Sequence, residues 1–217
     1  MSNLKNHTRL KTRSNLHLSR KFWHMGGGLT ILSVFFSSGL SSKDAGIILI
    51  AYSFLNFIFE SLRISNSRFN SFVLRFLGSF MREEERNSVS GMPFYALGCG
   101  LAFFLFPLKI AVISILFLTF SDPISSTVGV LYGRHKFLPN KSIQGSFAGF
   151  IVCFVISFIC LSVWRSSHPT ALSFCIMAGI IGSFSELLSV LNLDDNLTIP
   201  LFSGLGLFAL NNFFQLL

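Results

Sequence analysis

Charged residues are scarce in this sequence, and their scarcity argues against a soluble protein. Only 12% of the 217 residues are Asp, Glu, Lys or Arg, whereas 51% are hydrophobic and the mean hydropathy is +0.64. A chain of this length cannot bury so much apolar surface in one soluble core, so a lipid bilayer is its natural solvent. The composition therefore predicts an integral membrane protein.

Cysteine is also sparse, and its placement argues against a zinc site or a disulfide framework. The cysteines lie inside apolar segments, without CxxC spacing and without accompanying histidines. The four are Cys99, Cys153, Cys160 and Cys175. We expect them to be small buried hydrophobic residues. The sequence also has no internal repeat with a convincing period, no low-complexity tract and no linker long enough to separate two domains.

Long apolar stretches make up most of the chain. Most approach the ~20 residues that a helix needs to span a bilayer. They run over residues 22–40, 44–62, 92–107, 109–131, 146–164, 170–190 and 197–216. Pro107 separates the short third stretch from the fourth by a tight turn. The predicted fold is an all-α polytopic membrane helix bundle of about seven transmembrane helices, with a basic cytoplasmic tail over residues 1–21 and one transmembrane domain over residues 22–217. The first stretch follows a long basic segment and contains His24, so we interpret it as an uncleaved span and not as a signal peptide.

The segment 66–82 differs from the spans because it is amphipathic. Its apolar side chains fall on one helical face: Phe69, Phe72, Val73, Phe76, Leu77 and Phe80. Arginines at 68, 75 and 82 are available to lipid phosphates, so we expect a helix lying in the membrane interface. The charged residues 83–86 that follow are interpreted as a solvated loop.

The basic residues predict the orientation of the chain. If the N-terminus is cytoplasmic, fourteen of the 17 lysines and arginines lie on the inner side. The three outer ones are Lys43, Lys109 and Arg165. The positive-inside rule then places the N-terminus in the cytoplasm and the C-terminus outside, across the inner membrane if the cell is bacterial. This topology explains the net charge of +8 more simply than nucleic-acid binding, so no nucleic-acid partner is expected. The oligomeric state stays open.

A polar stretch from Ser121 to Phe150 interrupts the apolar pattern. Asp122 lies inside an apolar segment, about 14 Å from its inner end at 1.5 Å per residue. A carboxylate at that depth costs several kcal/mol if it faces lipid, so it should face a cavity, a partner or a metal. The adjacent Pro123 removes a backbone donor and can break the helix. Asp122 is therefore the first candidate for a functional residue.

Anion-binding features follow Asp122 along the chain. Gly129 and Gly133 either form a close helix-packing face or let a phosphate approach the backbone. Lys141 is either a determinant of topology or part of an anion site. The second interpretation gains support because Ser142, Gly145 and Ser146 open the next helix, where free amides attract anions.

Further polar residues are expected on the same side of the membrane. His24 is either a buried, hydrogen-bonded histidine or a phosphate ligand. Glu60 and Arg63 are spaced for a local helix pair. Before the last apolar stretch, Asp194 and Asp195 either cap the helix or, with Asn196, suit magnesium.

Together these pieces resemble a known signature. In order they are Arg20-Lys21-x-x-His24, Glu60-x-x-Arg63, Asp122 with its spaced glycines, Lys141-Ser142-x-x-Gly145-Ser146, and the run from Asp194 to Pro200. The set is similar to that of the CTP-dependent lipid-alcohol kinase family, which includes dolichol, phytol and eukaryotic-type diacylglycerol kinases and is related to phosphatidate cytidylyltransferase. The resemblance covers most of the chain.

This resemblance implies CTP as phosphoryl donor, Mg²⁺ as cofactor, and a membrane lipid alcohol as acceptor at the cytoplasmic face. The acceptor would be a polyprenol or dolichol, a phytol-like alcohol, or diacylglycerol. The expected catalytic residues are Asp122 and Lys141, and the expected metal ligands are Asp122, Asp194 and Asp195. The residues expected to bind the nucleotide and its phosphates are Gly129, Gly133, Arg134, Lys141, Ser142, Gly145, Ser146, Arg20, Lys21 and His24. The expected supporting residues are Glu60, Arg63, Glu186 and Asn196. The division of roles among the carboxylates stays open.

Two alternatives belong to other classes of protein. A phosphatidate cytidylyltransferase would use the same nucleotide and metal but attack the α-phosphorus with a lipid phosphate. Its C-terminal signature, His-Gly-Gly followed by Asp-Arg, has no counterpart in NLDDNLTIPLFSGLG, which favours the kinase. A transporter or scaffold would place charged groups along the outer half of the bundle, yet almost all lie inward.

Overall fold

A computed structural model describes residues 16–138, 141–165, 168–188 and 194–217. Most of the predicted basic tail (residues 1–21) lies outside the described residues, so its nature stays a prediction. The described residues form an all-α fold with one small β-hairpin. The helices are α1 Leu18–Ser38, α2 Ser42–Ser65, α3 Ser67–Leu77, α4 Gly91–Leu105, α5 Leu108–Leu116, α6 Asp122–Tyr132, α7 Ile143–Val163, α8 Ala171–Leu187 and α9 Asp195–Phe214. Strand β1, Lys136–Leu138, pairs antiparallel with β2, Lys141–Ser142.

Each predicted apolar stretch coincides with a helix, but seven transmembrane helices are not confirmed. Four helical segments of the described chain are long and apolar enough to cross a membrane: 42–65, 108–132, 143–163 and 195–214. Helices α4 and α8 are apolar but only 15 and 17 residues long. Helix α1 has 21 residues, and its first turns carry Arg20, Lys21 and His24, which dilute its apolar character. The described chain is therefore that of an all-α membrane protein with four candidate membrane-spanning segments.

The segment 108–132 lies at the centre of the bundle. In its most apolar window 67% of the residues are buried inside the protein, against 22% for α2. Ile110, Ile113 and Phe117 are fully buried in the core cluster, whereas Phe54 and Leu55 of α2 are exposed. Helix α2 is therefore a peripheral helix of the bundle, and its exposed apolar side chains suit a lipid surface.

A π-helical turn joins α5 to α6 in the centre of the bundle. It covers Phe117–Ser121 and directly precedes Asp122. Pro123 has no N–H group to donate to the preceding turn, so a regular α-helix would lose a hydrogen bond here. The sequence predicted that Pro123 can break the helix, and the structure instead continues it through a wider turn. Such π turns frequently occur at functional sites.

Helix α3 confirms the predicted amphipathic segment with a shorter extent. It spans residues 67–77, not 66–82, and Asn66 caps it by accepting from the N–H groups of Arg68 and Phe69 at 3.0 and 3.1 Å. Val73 and Leu74 are buried against the protein, while Phe72 is exposed. The predicted apolar face is therefore divided between the protein and the surroundings, and its place in the membrane interface stays a prediction.

Gly28 determines how closely α1 approaches the central segment. A methyl group at this position would overlap the hydroxyl of Thr119 and lie 2.5 Å from Oη of Tyr95. Only a residue without a side chain permits that approach. The contact brings the first turns of α1 beside the π turn and Asp122.

Candidate active site

Polar residues from distant parts of the chain meet at one end of the bundle. This end is formed by the first turns of α1, the end of α2, the loop between α3 and α4, α6, the hairpin, the end of α8 and the start of α9. The sequence predicted that these polar residues share one side of the membrane. The structure brings them together, while which side of the membrane they occupy stays a prediction.

Asp122 and His24 face each other across α1 and α6. The closest atoms, Nε2 of His24 and Oδ2 of Asp122, are 3.9 Å apart, which is too far for a direct hydrogen bond. Nε2 donates instead to the carbonyl of Leu118 in the π turn at 3.0 Å. Tyr95 donates its hydroxyl to the carbonyl of His24 at 3.1 Å and packs edge-on against its ring. These contacts favour the interpretation of His24 as a buried, hydrogen-bonded histidine over that of a phosphate ligand.

Lys21 of α1 also acts on Asp122. Its ammonium donates to the hydroxyl of Thr127 at 2.8 Å, and it interacts electrostatically with Asp122 and Arg82. Arg82 also acts on Asp122 and His24. The amphipathic pattern assigns Arg82 to the interfacial helix, and only the folding of the loop brings it beside the site.

Arg20 is held by Glu85, a residue that sequence analysis did not select. Nη1 of Arg20 donates to Oε2 of Glu85 at 2.6 Å, and the guanidinium also interacts electrostatically with Asp194 and Asp122. Glu85 is 7% exposed, so the interpretation of residues 83–86 as a solvated loop is wrong for this residue. Burial alone would raise the pKa of Glu85, but the adjacent Arg20 lowers it, so the carboxyl group is ionised.

Arg63 is the centre of a second polar cluster. Its side chain is fully buried and forms the predicted pair with Glu60, with contacts of 3.2 and 2.8 Å. Nη1 also donates to Asn70 at 2.7 Å. Its remaining contacts are with the loop carbonyls of Glu85, Arg86 and Ser88, at 3.0, 3.1 and 2.7 Å. Glu60 in turn accepts from the N–H group of Ser90 at 2.8 Å. The pair therefore fixes the loop between α3 and α4.

Lys141 forms an ion pair with Glu186 of α8. The two groups are 2.8 Å apart, and Ser125 of α6 donates to the same carboxylate oxygen at 2.6 Å. Burial alone would lower the pKa of Lys141, but Glu186, Asp195 and Asp122 raise it, so Lys141 is a cation. Lys141 and Glu186 were predicted separately from the sequence. Ser125 was not predicted, because a serine within an apolar stretch has no feature that marks it as functional.

The glycines of the central motif pack α6 against α7. A Cβ atom added to Gly145 would lie 3.3 Å from the Cα of Gly129. A Cβ atom added to Gly133 would overlap the carbonyl of Gly129. Ser142 caps α7 by accepting from the N–H group of Gly145 at 3.2 Å. This cap uses one of the amides that we expected a phosphate to bind. The contacts support the helix-packing interpretation of the glycines, and phosphate binding stays a proposal.

Two residues of the predicted phosphate site lie less centrally. The side chain of Arg134 is exposed, and among the described residues only its backbone N–H has a partner, Gln144 at 3.2 Å. Ser146 is partly buried, and its carbonyl accepts from Ser183 of α8 at 2.8 Å. The structure does not bring the Arg134 side chain into the cluster around Asp122.

Asp194 and Asn196 hold the start of α9. Asp194 is its N-cap and accepts from the N–H group of Asn196 at 3.0 Å. Asn196 is buried and donates its amide to the carbonyl of Gly91 at 3.2 Å, joining α9 to α4. Burial, with a smaller contribution from the neighbouring Asp195, raises the pKa of Asp194 to about 6. The capping interpretation is therefore correct for Asp194, and Asn196 has a structural partner.

The carboxylates fit magnesium only together with a substrate. Within residues 16–138, 141–165, 168–188 and 194–217, no group of three or more His, Cys, Asp or Glu side chains is placed to hold a metal ion. Magnesium is commonly bound by one or two carboxylates plus substrate phosphates, because it keeps part of its water shell. Asp194 and Asp195, which are adjacent and interact electrostatically, fit that arrangement.

The chain is similar to fungal proteins, each named CTP-dependent diacylglycerol kinase 1. It is 35% identical to the protein of Schizosaccharomyces pombe over 164 residues, which cover 70% of this chain and 74% of that protein. It is 29% identical to the protein of Saccharomyces cerevisiae over 217 residues, covering 91% of this chain and 74% of that protein. For the protein of Eremothecium gossypii the identity is 27% over 215 residues, covering 90% and 68%. No family model matches the chain. No solved structure matches it.

Proposed function

Because the chain belongs to the family of CTP-dependent diacylglycerol kinases, we propose that it transfers the γ-phosphoryl group of CTP to the free hydroxyl of diacylglycerol. Membership makes the chain a CTP-dependent lipid kinase of the membrane. It favours the kinase over the transporter or scaffold that the sequence left open. The acceptor, the site residues and the metal are proposals.

The observation that carries the proposal is the meeting of cations and carboxylates around Asp122. Arg20 and Lys21 of α1 and Lys141 beside α7 all interact electrostatically with this one carboxylate. Phosphoryl transfer requires little covalent help from a protein, so catalysis depends on positioning the reactants and neutralising the phosphate charge. Three cations around one acidic group are suited to that task, and we assign them to the phosphates of CTP.

Asp122 is the candidate for the group that accepts the proton. In the reaction the lipid hydroxyl oxygen bonds to the γ-phosphorus, the bond from that phosphorus to the β-phosphate oxygen breaks, and CDP leaves. The hydroxyl proton passes to Oδ of Asp122, and the products are CDP and phosphatidate. His24 does not hydrogen-bond Asp122, so a carboxylate oxygen stays accessible to a substrate hydroxyl.

Magnesium, when bound with CTP, would neutralise phosphate charge, and Asp194 and Asp195 are the residues that would hold it. The chain itself orients this pair by placing Asp194 at the N-cap of α9 and by fixing Asn196 to Gly91.

The donor is tested with two labelled forms of CTP and purified protein in diacylglycerol micelles. Label on the γ-phosphate should appear in the lipid, whereas label on the α-phosphate should not. CDP-lipid with release of pyrophosphate would instead identify a cytidylyltransferase. The Asp122→Asn variant is the matched blank, because it is nearly isosteric with the parent.

The acceptor is tested with a panel of lipid alcohols under the same conditions. We expect diacylglycerol to be phosphorylated with a higher kcat/KM than dolichol or a phytol-like alcohol. A preference for a polyprenol would keep the kinase and overturn the assignment of diacylglycerol.

A further inference from the structure

The carboxylate of Glu85 has three donors around it. Oε2 accepts from Nη1 of Arg20 at 2.6 Å and from the N–H group of Arg82 at 2.8 Å. Oε1 accepts from the N–H group of Gly91 at 3.2 Å. One buried side chain therefore joins α1 to the loop between α3 and α4 and to the first residue of α4.

The loop that carries Glu85 is itself fixed from behind. The fully buried guanidinium of Arg63 binds the carbonyls of Glu85, Arg86 and Ser88, as described above. A carboxylate on a loop held at three carbonyls has little freedom to follow its partner. Glu85 therefore sets the position of Arg20, and not the reverse.

Arg20 uses only part of its hydrogen-bonding capacity on this contact. Among the described residues, its hydrogen bonds are made by Nη1, to Glu85 and to the carbonyl of Phe80 at 3.5 Å. The guanidinium has five N–H groups in a rigid fork, so fixing one end directs the others. Nη2 points toward Gly91 and Asn196, beside the start of α9 where Asp194 lies.

We propose that Glu85 is a positioning residue for phosphoryl transfer, which holds Arg20 so that its remaining N–H groups bind the phosphates of CTP. The inference rests on the proposed function, because it takes the phosphates as the ligand of Arg20. Its energetic basis is preorganisation: an arginine already held in place loses less conformational freedom when the nucleotide binds.

A purely structural role would have a different signature. If Glu85 only joins the loop to α1 and α4, its loss lowers thermal stability and the amount of folded enzyme. The affinity for both substrates then stays unchanged. If it positions Arg20, the change appears in the kinetic constants for CTP and leaves the KM for the lipid unchanged.

The test compares Glu85→Gln with Glu83→Gln in the full-length enzyme. Glu83 is in the same short helical turn, but it pairs with Arg86 and its side chain is 42% exposed. For Glu85→Gln we expect kcat/KM for CTP to fall about ten- to a hundredfold, the usual range for losing a charge-assisted hydrogen bond. Glu83→Gln should stay within a few-fold of the parent. If Glu85→Gln does not fold, Glu85→Asp takes its place. This variant keeps the charge but shortens the side chain, so we expect a smaller fall in kcat/KM for CTP.

A double-mutant cycle with Arg20→Ala shows whether Glu85 acts through Arg20. Once Arg20 is absent, Glu85→Gln should reduce kcat/KM for CTP by no more than about threefold further, because the group it positions is already gone. Full additivity, or equal kinetics for Glu85→Gln and Glu83→Gln, would overturn the inference while the parent still phosphorylates lipid. A parent enzyme that transfers no label from γ-labelled CTP would overturn the proposed function instead.

Discussion

The two polar clusters at this end of the bundle differ in how completely their hydrogen bonds are satisfied. Around Arg63, every nitrogen of the guanidinium has a partner, and the side chain is fully buried. Around Asp122, the closest ring nitrogen, Nε2 of His24, lies 3.9 Å away, and the cations Arg20, Arg82 and Lys141 act on it from three separate parts of the chain. A buried polar network that is fully satisfied stabilises one structure, whereas charges held close without direct contact leave room for a ligand. The first cluster is a scaffold and the second is the candidate site.

Both clusters are predicted to lie on the cytoplasmic side, which a pair of reporter fusions tests with an all-or-none result. A reporter placed after residue 140 should be in the cytoplasm, and one placed after Leu217 should be outside, because most basic residues flank the inner ends. The opposite result would overturn the predicted orientation and the cytoplasmic placement of the site.

Removing the charge of Asp122 should have the largest effect on catalysis. Asp122→Asn keeps the size of the side chain, so we expect turnover to fall by roughly two to four orders of magnitude, the range for losing a positioned proton acceptor. The thermal midpoint in detergent should change little. Turnover within a few-fold of the parent, with a lower midpoint, would make Asp122 a helix-packing residue and direct the search to Asp194, Asp195, Glu60 or Glu186.

Removing Arg63 should have the largest effect on stability. Arg63→Met leaves Glu60 buried without its cation and frees the loop, and breaking such a buried pair costs about 3–5 kcal/mol. We expect a large drop in the thermal midpoint and in yield. The double variant Glu60→Gln with Arg63→Met removes the isolated charge and should recover part of the loss. A single variant as stable as the parent would show that the cluster is not the scaffold.

Lys141 has features of both clusters, because it forms a direct ion pair with Glu186 and also acts on Asp122. Lys141→Met should lower kcat/KM for CTP about ten- to a hundredfold, the usual range for a charged hydrogen bond. Adding Glu186→Gln removes the carboxylate whose cation is gone and should restore stability but not activity. Recovery of activity in the double variant would mean that Lys141 serves only to neutralise Glu186. Lys136→Met, at an exposed position of the same hairpin, is the control.

The smallest expected effect is the pH dependence of the contact between Glu85 and Arg20. The pKa of Glu85 is lowered in the folded protein: burial opposes ionisation, but Arg20 favours it more. The contact therefore contributes stability above the unfolded value of about 4.3 and loses it as the pH falls through the lower folded value. The difference in thermal midpoint between the parent and Glu85→Gln should shrink below about pH 4. A difference that grows on acidification would contradict the ion pair.

By itself, the sequence determined the class of fold and identified the residues that are candidates for the site. Apolar stretches and helices coincide because lipid requires a continuous hydrophobic surface and internally satisfied backbone groups. Asp122 and Lys141 were recognisable because a charge within or beside such a stretch is costly unless it has a function. The number of spans could not be predicted as well from the sequence. Short or partly polar helices such as α4, α8 and α1 do not have the length and composition of a full span.

Only the tertiary structure decided which polar groups are partners. Arg20 and Glu85 are 65 residues apart, and Ser125 and Glu186 are 61 apart, so no local pattern links them. The same holds for Glu85 itself, which looks in the sequence like one of three solvated acids and is buried in a loop whose carbonyls bind Arg63. Helical periodicity specifies which residues share a face of one helix. Hydrogen bonds between helices depend on how closely these faces approach, and here small residues such as Gly28 and Gly145 set that distance.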